Sequence, residues 1–180
     1  MKRFLLTFLL VLMIPLSASA ISLDELQSNP DKYTKIYEAE NGTMYIDSES
    51  IKSIRYAPPY YTLQVKDYYV LYNLNCIQQS ISTYNYDYNK NCATLTKKYA
   101  ALYPSYSSKQ IIDLVLAESK KDSGVIVTSV DINCYEFDGT FITTGKPIYS
   151  QEVPFWTNLY YSADSVFKKY YGISFTTGMK

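Results

Sequence analysis

Apolar and polar side chains alternate with a period of two in several runs of this chain, and three other stretches have a period near 3.6. Tyr33 to Glu40 and Thr43 to Asp47 read as strands joined at Asn41-Gly42, a dipeptide able to take positive φ at both corners of a type I′ turn. Asp47-Ser48-Glu49-Ser50 reads as a polar turn, and Pro58-Pro59 breaks regular structure before the next strand. Tyr61, Leu63 and Val65 then alternate with Thr62, Gln64 and Lys66. After Asp67 the apolar parity passes to Tyr68, Val70, Tyr72 and Leu74. A parity change without a turn residue predicts a β-bulge in one long strand. A further strand, Ile81 to Tyr88, sets Tyr84, Tyr86 and Tyr88 on one face.

Helical spacing starts at Asn91, where Cys92, Leu95, Tyr99 and Leu102 share one face that Pro104 ends. Ser107-Ser108 caps a second expected helix, Lys109 to Lys121, with Ile111, Ile112, Val115 and Leu116 inward. Residues 91–121 therefore read as a helical hairpin inserted between strands. Strand character returns from Val125 to Phe137, and Asp138-Gly139 turns it into Thr140 to Thr144. Ile148 to Phe155 reads as an edge strand. Ser162 is read as the cap of a last helix carrying Ala163, Val166, Phe167 and Tyr170, with Gly172 as its stop. Near the start, Ser22-Leu23-Asp24-Glu25 has capping-box form and predicts a short helix from Leu23 to Ser28. Together these elements predict an α+β fold: about six antiparallel strands, an inserted helical hairpin, and a C-terminal helix packed on the sheet.

The first 20 residues change the setting of everything that follows. Met1-Lys2-Arg3, an apolar run from Phe4 to Ile14, Pro15, and Ala18-Ser19-Ala20 have the order of a secretory signal peptide cut after Ala20. The apolar run is shorter than the roughly 20 residues a membrane-spanning helix needs, so no stable membrane insertion is expected after cleavage. The expected product is one domain, residues 21–180, secreted or held in the periplasm or at the cell surface. Removing Lys2 and Arg3 with the leader leaves 15 basic against 17 acidic side chains, with no basic block, so nucleic acid is not an expected partner.

Histidine is absent, which removes the commonest general base and zinc ligand. No cofactor or metal is expected, and no catalytic residue can be named. Ser165-Val166-Phe167-Lys168 has the serine-acylase spacing, but its middle residues belong to an apolar helix face. Asp47 with Glu49, and Asp131 with Glu136, lie near one another in sequence and are the candidate pairs for a carboxylate-dependent hydrolase. Of the three cysteines, Cys76, Cys92 and Cys134, any two can bond and one is always left over. Cys92 and Cys134 both fall on apolar faces, so burial or a mutual bond between them is expected.

Tyrosine is the outlier of the composition, with 21 residues against seven Phe and one Trp. A phenol ring couples apolar area to a hydroxyl that can stay wet. Paired tyrosines on strands send one ring to each face, which makes Tyr60, Tyr69, Tyr84, Tyr86 and Tyr88 a candidate binding surface. The competing reading is that these rings pack beneath the helices.

The run from Ile36 to Ile51, IYEAENGTMYIDSESI, resembles the opening of the surface-adhesin protein E family, and the strand, D-G hairpin, edge segment and final helix resemble its end. The resemblance implies an antiparallel sheet crossed by a C-terminal helix, in bacterial surface or periplasmic proteins, some of which bind host matrix proteins. Two departures stand out. The final helix lacks the cysteine that tethers it in typical members, and residues 91–121 are an insertion. The expected function is that of an exported, non-enzymatic envelope or adhesin-like binding protein with a protein or glycan ligand. A small secreted hydrolase and a structural or inhibitory envelope component are the alternatives.

Overall fold

The computed structural model describes residues 20–145 and 149–178, so the predicted leader, apart from Ala20, lies outside the described residues. In chain order the elements are α1 (Leu23–Ser28), β1 (Tyr33–Ala39), β2 (Gly42–Asp47), β3 (Lys52–Ala57), β4 (Tyr60–Leu71) and β5 (Cys76–Asp87). There follow α2 (Cys92–Leu102), α3 (Ser108–Lys121), β6 (Val125–Glu136), β7 (Phe141–Gly145), β8 (Tyr149–Glu152) and α4 (Asn158–Tyr171). The architecture is α+β, with all strand pairings antiparallel and the sheet left open rather than closed into a barrel.

Three 12-residue strands, β4, β5 and β6, form the spine of an eight-stranded sheet. Each outer edge of that spine is divided. Residues 67–71 of β4 pair with β2, which pairs in turn with β1, while residues 60–64 pair with β3. On the other edge, residues 126–129 of β6 pair with β8, and residues 132–135 pair with β7.

The two faces are covered by different helices at different ends. On one face, Tyr61, Leu63 and Val65 of β4, Tyr84 and Tyr86 of β5, and Val125 and Val127 of β6 pack under α4 through Ala163, Val166 and Phe167. On the other, Tyr45, Tyr68, Val70 and Ile77 pack under α1 through Leu26, joined by Ile21 and Tyr33. This explains the parity change within β4, and it corrects the expected bulge. The β4–β5 ladder runs unbroken from Tyr60↔Asp87 to Leu71↔Cys76. The strand stays regular, and its apolar side switches because the covering helix switches.

Helix ends follow local chemistry. Ser22 caps α1 through Glu25 N–H, Asn91 caps α2 through Thr94 N–H, and Ser107 with Gln110 forms a capping box on α3. Gly172, at φ +74°, closes α4 as expected. The start of α4 is earlier than the sequence reading: Thr157 is its cap, and Ser162 is a buried mid-helix residue sharing a hydrogen bond with the Tyr84 hydroxyl at 3.0 Å. Leu102, Ile112 and Tyr170, expected inward, are exposed.

The first hairpin is displaced by one residue. Ala39 pairs with Gly42, so Glu40 and Asn41 are the corners, and neither takes positive φ. Gly42 lies inside β2, where a Cβ would come within 2.6 Å of the Val70 carbonyl oxygen and 3.2 Å of the Tyr69 ring. It is required by close approach, not by the turn. Two more differences concern polar stretches: β3 forms where no strand was expected, and β5 begins five residues early, at Cys76.

Candidate functional site

β4 carries Asp67 on the face that α4 covers, in parity with Tyr61, Leu63 and Val65 but beyond the reach of the α4 apolar stripe. Across the ladders Asp67 lies between Ile46 of β2 and Ser80 of β5, and Ser82 of β5 faces Ser129 of β6. The result is a row of small hydroxyls beside one buried acid. Ser82 Oγ donates to Asp67 Oδ2 at 2.6 Å and meets Ser129 Oγ at 2.8 Å. Burial drives the Asp67 carboxyl up to about 6 from an ordinary value near 3.8, although Ser82, Ser80 and its own backbone amide favour the ionised form. No salt bridge reaches it among the described residues.

Small side chains in this row leave space above the sheet. Asp67, Ser80 and Ser82 floor a cavity of about 560 Å³. Tyr37 and Tyr69, edge-to-face with ring centroids 5.8 Å apart, wall one side together with Met44 and Leu71. Tyr149 from edge strand β8 walls the other, and the first turn of α4, Thr157 to Leu159, forms part of the lip. Cavities of this size hold a drug-sized molecule, a sugar unit or one large side chain. Asp67 is the one charged residue in the described lining.

The tyrosines singled out from the sequence do not form a surface. Tyr84 and Tyr86 are fully buried beneath α4, with the Tyr86 hydroxyl donating to the Ala163 carbonyl at 2.8 Å. Burial raises both phenols far above their usual range. Tyr88 is half-buried in an aromatic cluster with Tyr61, Phe167 and Phe175. Tyr60 is exposed, beneath the Arg55 guanidinium at 5.7 Å from the ring centroid. Tyr69 is half-buried and lines the cavity. The ladder puts Tyr60 and Tyr69 on opposite faces of β4, so no exposed row exists. The physical reason is α4, which takes the aromatic parity of β4 and β5 as its own bed.

Of the two alternatives for Cys92 and Cys134, burial or a mutual bond, the bond is not formed, and all three cysteines are free. Cys134 pairs across from Gln78, near the start of β5, whereas Cys92 follows the end of β5 at Asp87. Nine residues of strand separate those points, about 30 Å. Cys92 instead meets Ser119 of α3 at 3.7 Å, and Cys134 has Cys76 as its diagonal neighbour on the sheet.

Neither acidic pair from the sequence joins the cavity. Asp47 caps the turn at Ser48 by accepting from Glu49 N–H at 3.1 Å, and Glu136 pairs with Cys76 at the far end of the ladder. The side chain of Asp131 lies outside the described residues. No group of three metal-ligating side chains occurs among the described residues, and no described helix is long and apolar enough to cross a membrane. Sequence reading missed Asp67, Ser80, Ser82, Ser129, Tyr37 and Tyr149 as a site. One signal was present: an acid continuing the inward parity of Tyr61, Leu63 and Val65. No family model, curated protein or solved structure matches the chain.

Proposed function

We propose that this is an exported, non-enzymatic binding protein of a bacterial envelope, and that its binding site is the Asp67 cavity rather than an exposed tyrosine row. The observation carrying the reading is the cavity itself: about 560 Å³ of open space walled by Tyr37, Tyr69 and Tyr149 over a buried carboxylate. Convergent aromatic and polar groups around a pocket of this size are the usual form of a ligand site. A single acid without a second carboxylate or histidine favours holding a ligand over hydrolysing it. The leader-like first 20 residues support export, and the adhesin-family resemblance supports an envelope setting. A protein or glycan partner would enter with a side chain or a terminal sugar unit, which a cavity of this size accommodates.

Arrays of matrix proteins, mucins, glycans and small metabolites test this with wild type and Gln78→Trp. Gln78 lines the cavity and is half-buried, so the indole fills space without replacing a core residue. Binding by wild type that Gln78→Trp abolishes at unchanged melting temperature supports the reading. Binding that survives the substitution, or none in any array, overturns it.

A further inference from the structure

The ligand's chemical class can be read from the floor of the same cavity, an inference that rests on the binding role proposed above. A buried carboxylate without a counter-charge costs free energy, and folded chains usually pair it, neutralise it or leave it for a ligand. Asp67 is 7% exposed, and its partners are neutral: the Ser82 and Ser80 hydroxyls and its own backbone amide, with Ser129 reached through Ser82. The titratable groups that face it from the surrounding elements are tyrosines: Tyr84 from β5, Tyr149 from β8, and Tyr37 and Tyr69 at the cavity wall. The described lining holds no lysine or arginine.

Two independent features point the same way. The acid supplies negative charge to the cavity lining. Phenol rings line its walls, and such rings attract a desolvated cation through the negative potential of their faces. An anionic ligand would meet repulsion from Asp67, and a purely neutral one would leave that charge unpaired. We infer that the cavity binds an organic ammonium group, either a free amine or quaternary amine, or a lysine side chain presented by another molecule, with the cationic nitrogen on Asp67 and its alkyl substituents among Tyr37, Tyr69 and Tyr149.

The probes are n-butylammonium, choline and Nα-acetyl-lysine amide, each beside its uncharged counterpart: n-butanol, 3,3-dimethylbutan-1-ol and the Nε-acetylated lysine derivative. Binding to the purified protein is followed by calorimetry at pH 8 and pH 5. At least one ammonium probe should bind at pH 8, its counterpart at least tenfold more weakly. Affinity should fall about tenfold at pH 5, where most of the Asp67 carboxyl is protonated. Asp67→Asn should abolish the preference for the charged probe, with its melting curve confirming a folded chain. Preference for choline or butylammonium assigns a free amine, and preference for the lysine derivative assigns a side chain. Absence of binding by all three charged probes, equal binding of charged and neutral partners, or an unchanged preference in Asp67→Asn overturns the inference. If glycans bind in a Gln78→Trp-sensitive manner while every ammonium probe fails, the cavity keeps its binding role and the cation assignment falls alone.

Discussion

Asp67→Asn should make this protein more stable at alkaline pH and leave it nearly unchanged in acid. The folded state holds the Asp67 proton more tightly than the unfolded chain, since burial lifts the carboxyl from near 3.8 to about 6. Below the lower value the group is neutral in both states and contributes nothing to the difference. As pH rises through both values, the unfolded chain ionises first, and stability falls. The shift of about two units corresponds to roughly 3 kcal/mol lost by pH 8. An asparagine of similar shape stays neutral throughout, and its carbonyl can accept the Ser82 hydroxyl. Urea unfolding of both proteins at pH 4, 6 and 8, followed by fluorescence, measures the difference directly. The expected gain for Asp67→Asn is about 3 kcal/mol at pH 8, roughly 6–12 °C in melting temperature, shrinking to under about 1 kcal/mol at pH 4. A gain of equal size at all three pH values, or a loss at pH 8, would refute the claim that an uncompensated charge sits there. The cost is largest where the carboxylate is ionised, which is also where it could hold a cation.

Tyr86→Ala should cost about 3–5 kcal/mol by emptying the space beneath α4, while Tyr60→Ala should stay within about 0.5 kcal/mol, both read by denaturant unfolding. Similar losses at the two positions would mean that the burial described for Tyr86 is wrong. Gly42→Ala should destabilise by about 1–3 kcal/mol, because the new methyl meets the Val70 carbonyl oxygen, and a neutral result would show that β2 can shift away. Asn91→Ala should cost about 1 kcal/mol through loss of the 2.7 Å cap bond to Thr94 N–H, seen first as faster hydrogen exchange at the start of α2. In native protein, alkylation should reach the half-buried Cys134 before Cys76, and equal rates would contradict the burial of Cys76.

Local signals in the chain fixed many element ends. Ser22, Asn91, Ser107 and Gly172 mark helix ends because their side chains, or the lack of one, satisfy backbone groups a few residues away. Gly139 turns at Asp138-Gly139 with φ +94° for the same kind of reason. Alternation located the cores of β4 and β6, the runs flanking Asn41-Gly42 located β1 and β2, and the α+β class followed from their order. Where pattern and position disagree, the error has a tertiary origin. The parity change in β4 is visible in the sequence, but only the placement of α1 and α4 on opposite faces explains it. The aromatic rows of β4 and β5 are equally compatible with a wet surface and with a helix bed, since a phenol satisfies either, and α4 decides for the bed.

The candidate site shows the same division more sharply. Nothing in the spacing of Tyr37, Asp67, Ser82, Ser129 and Tyr149 relates them, because five strands bring them together through ladders that join residues far apart in sequence. The chain by itself determined most of the segments that become strands and helices, since those depend on neighbours within a few positions, whereas β3 and the first half of β5 form through pairing with β4. Which faces are covered, where α4 stops short, and hence where an acid is left buried beside open space, depend on long-range packing, and only the assembled sheet decided them.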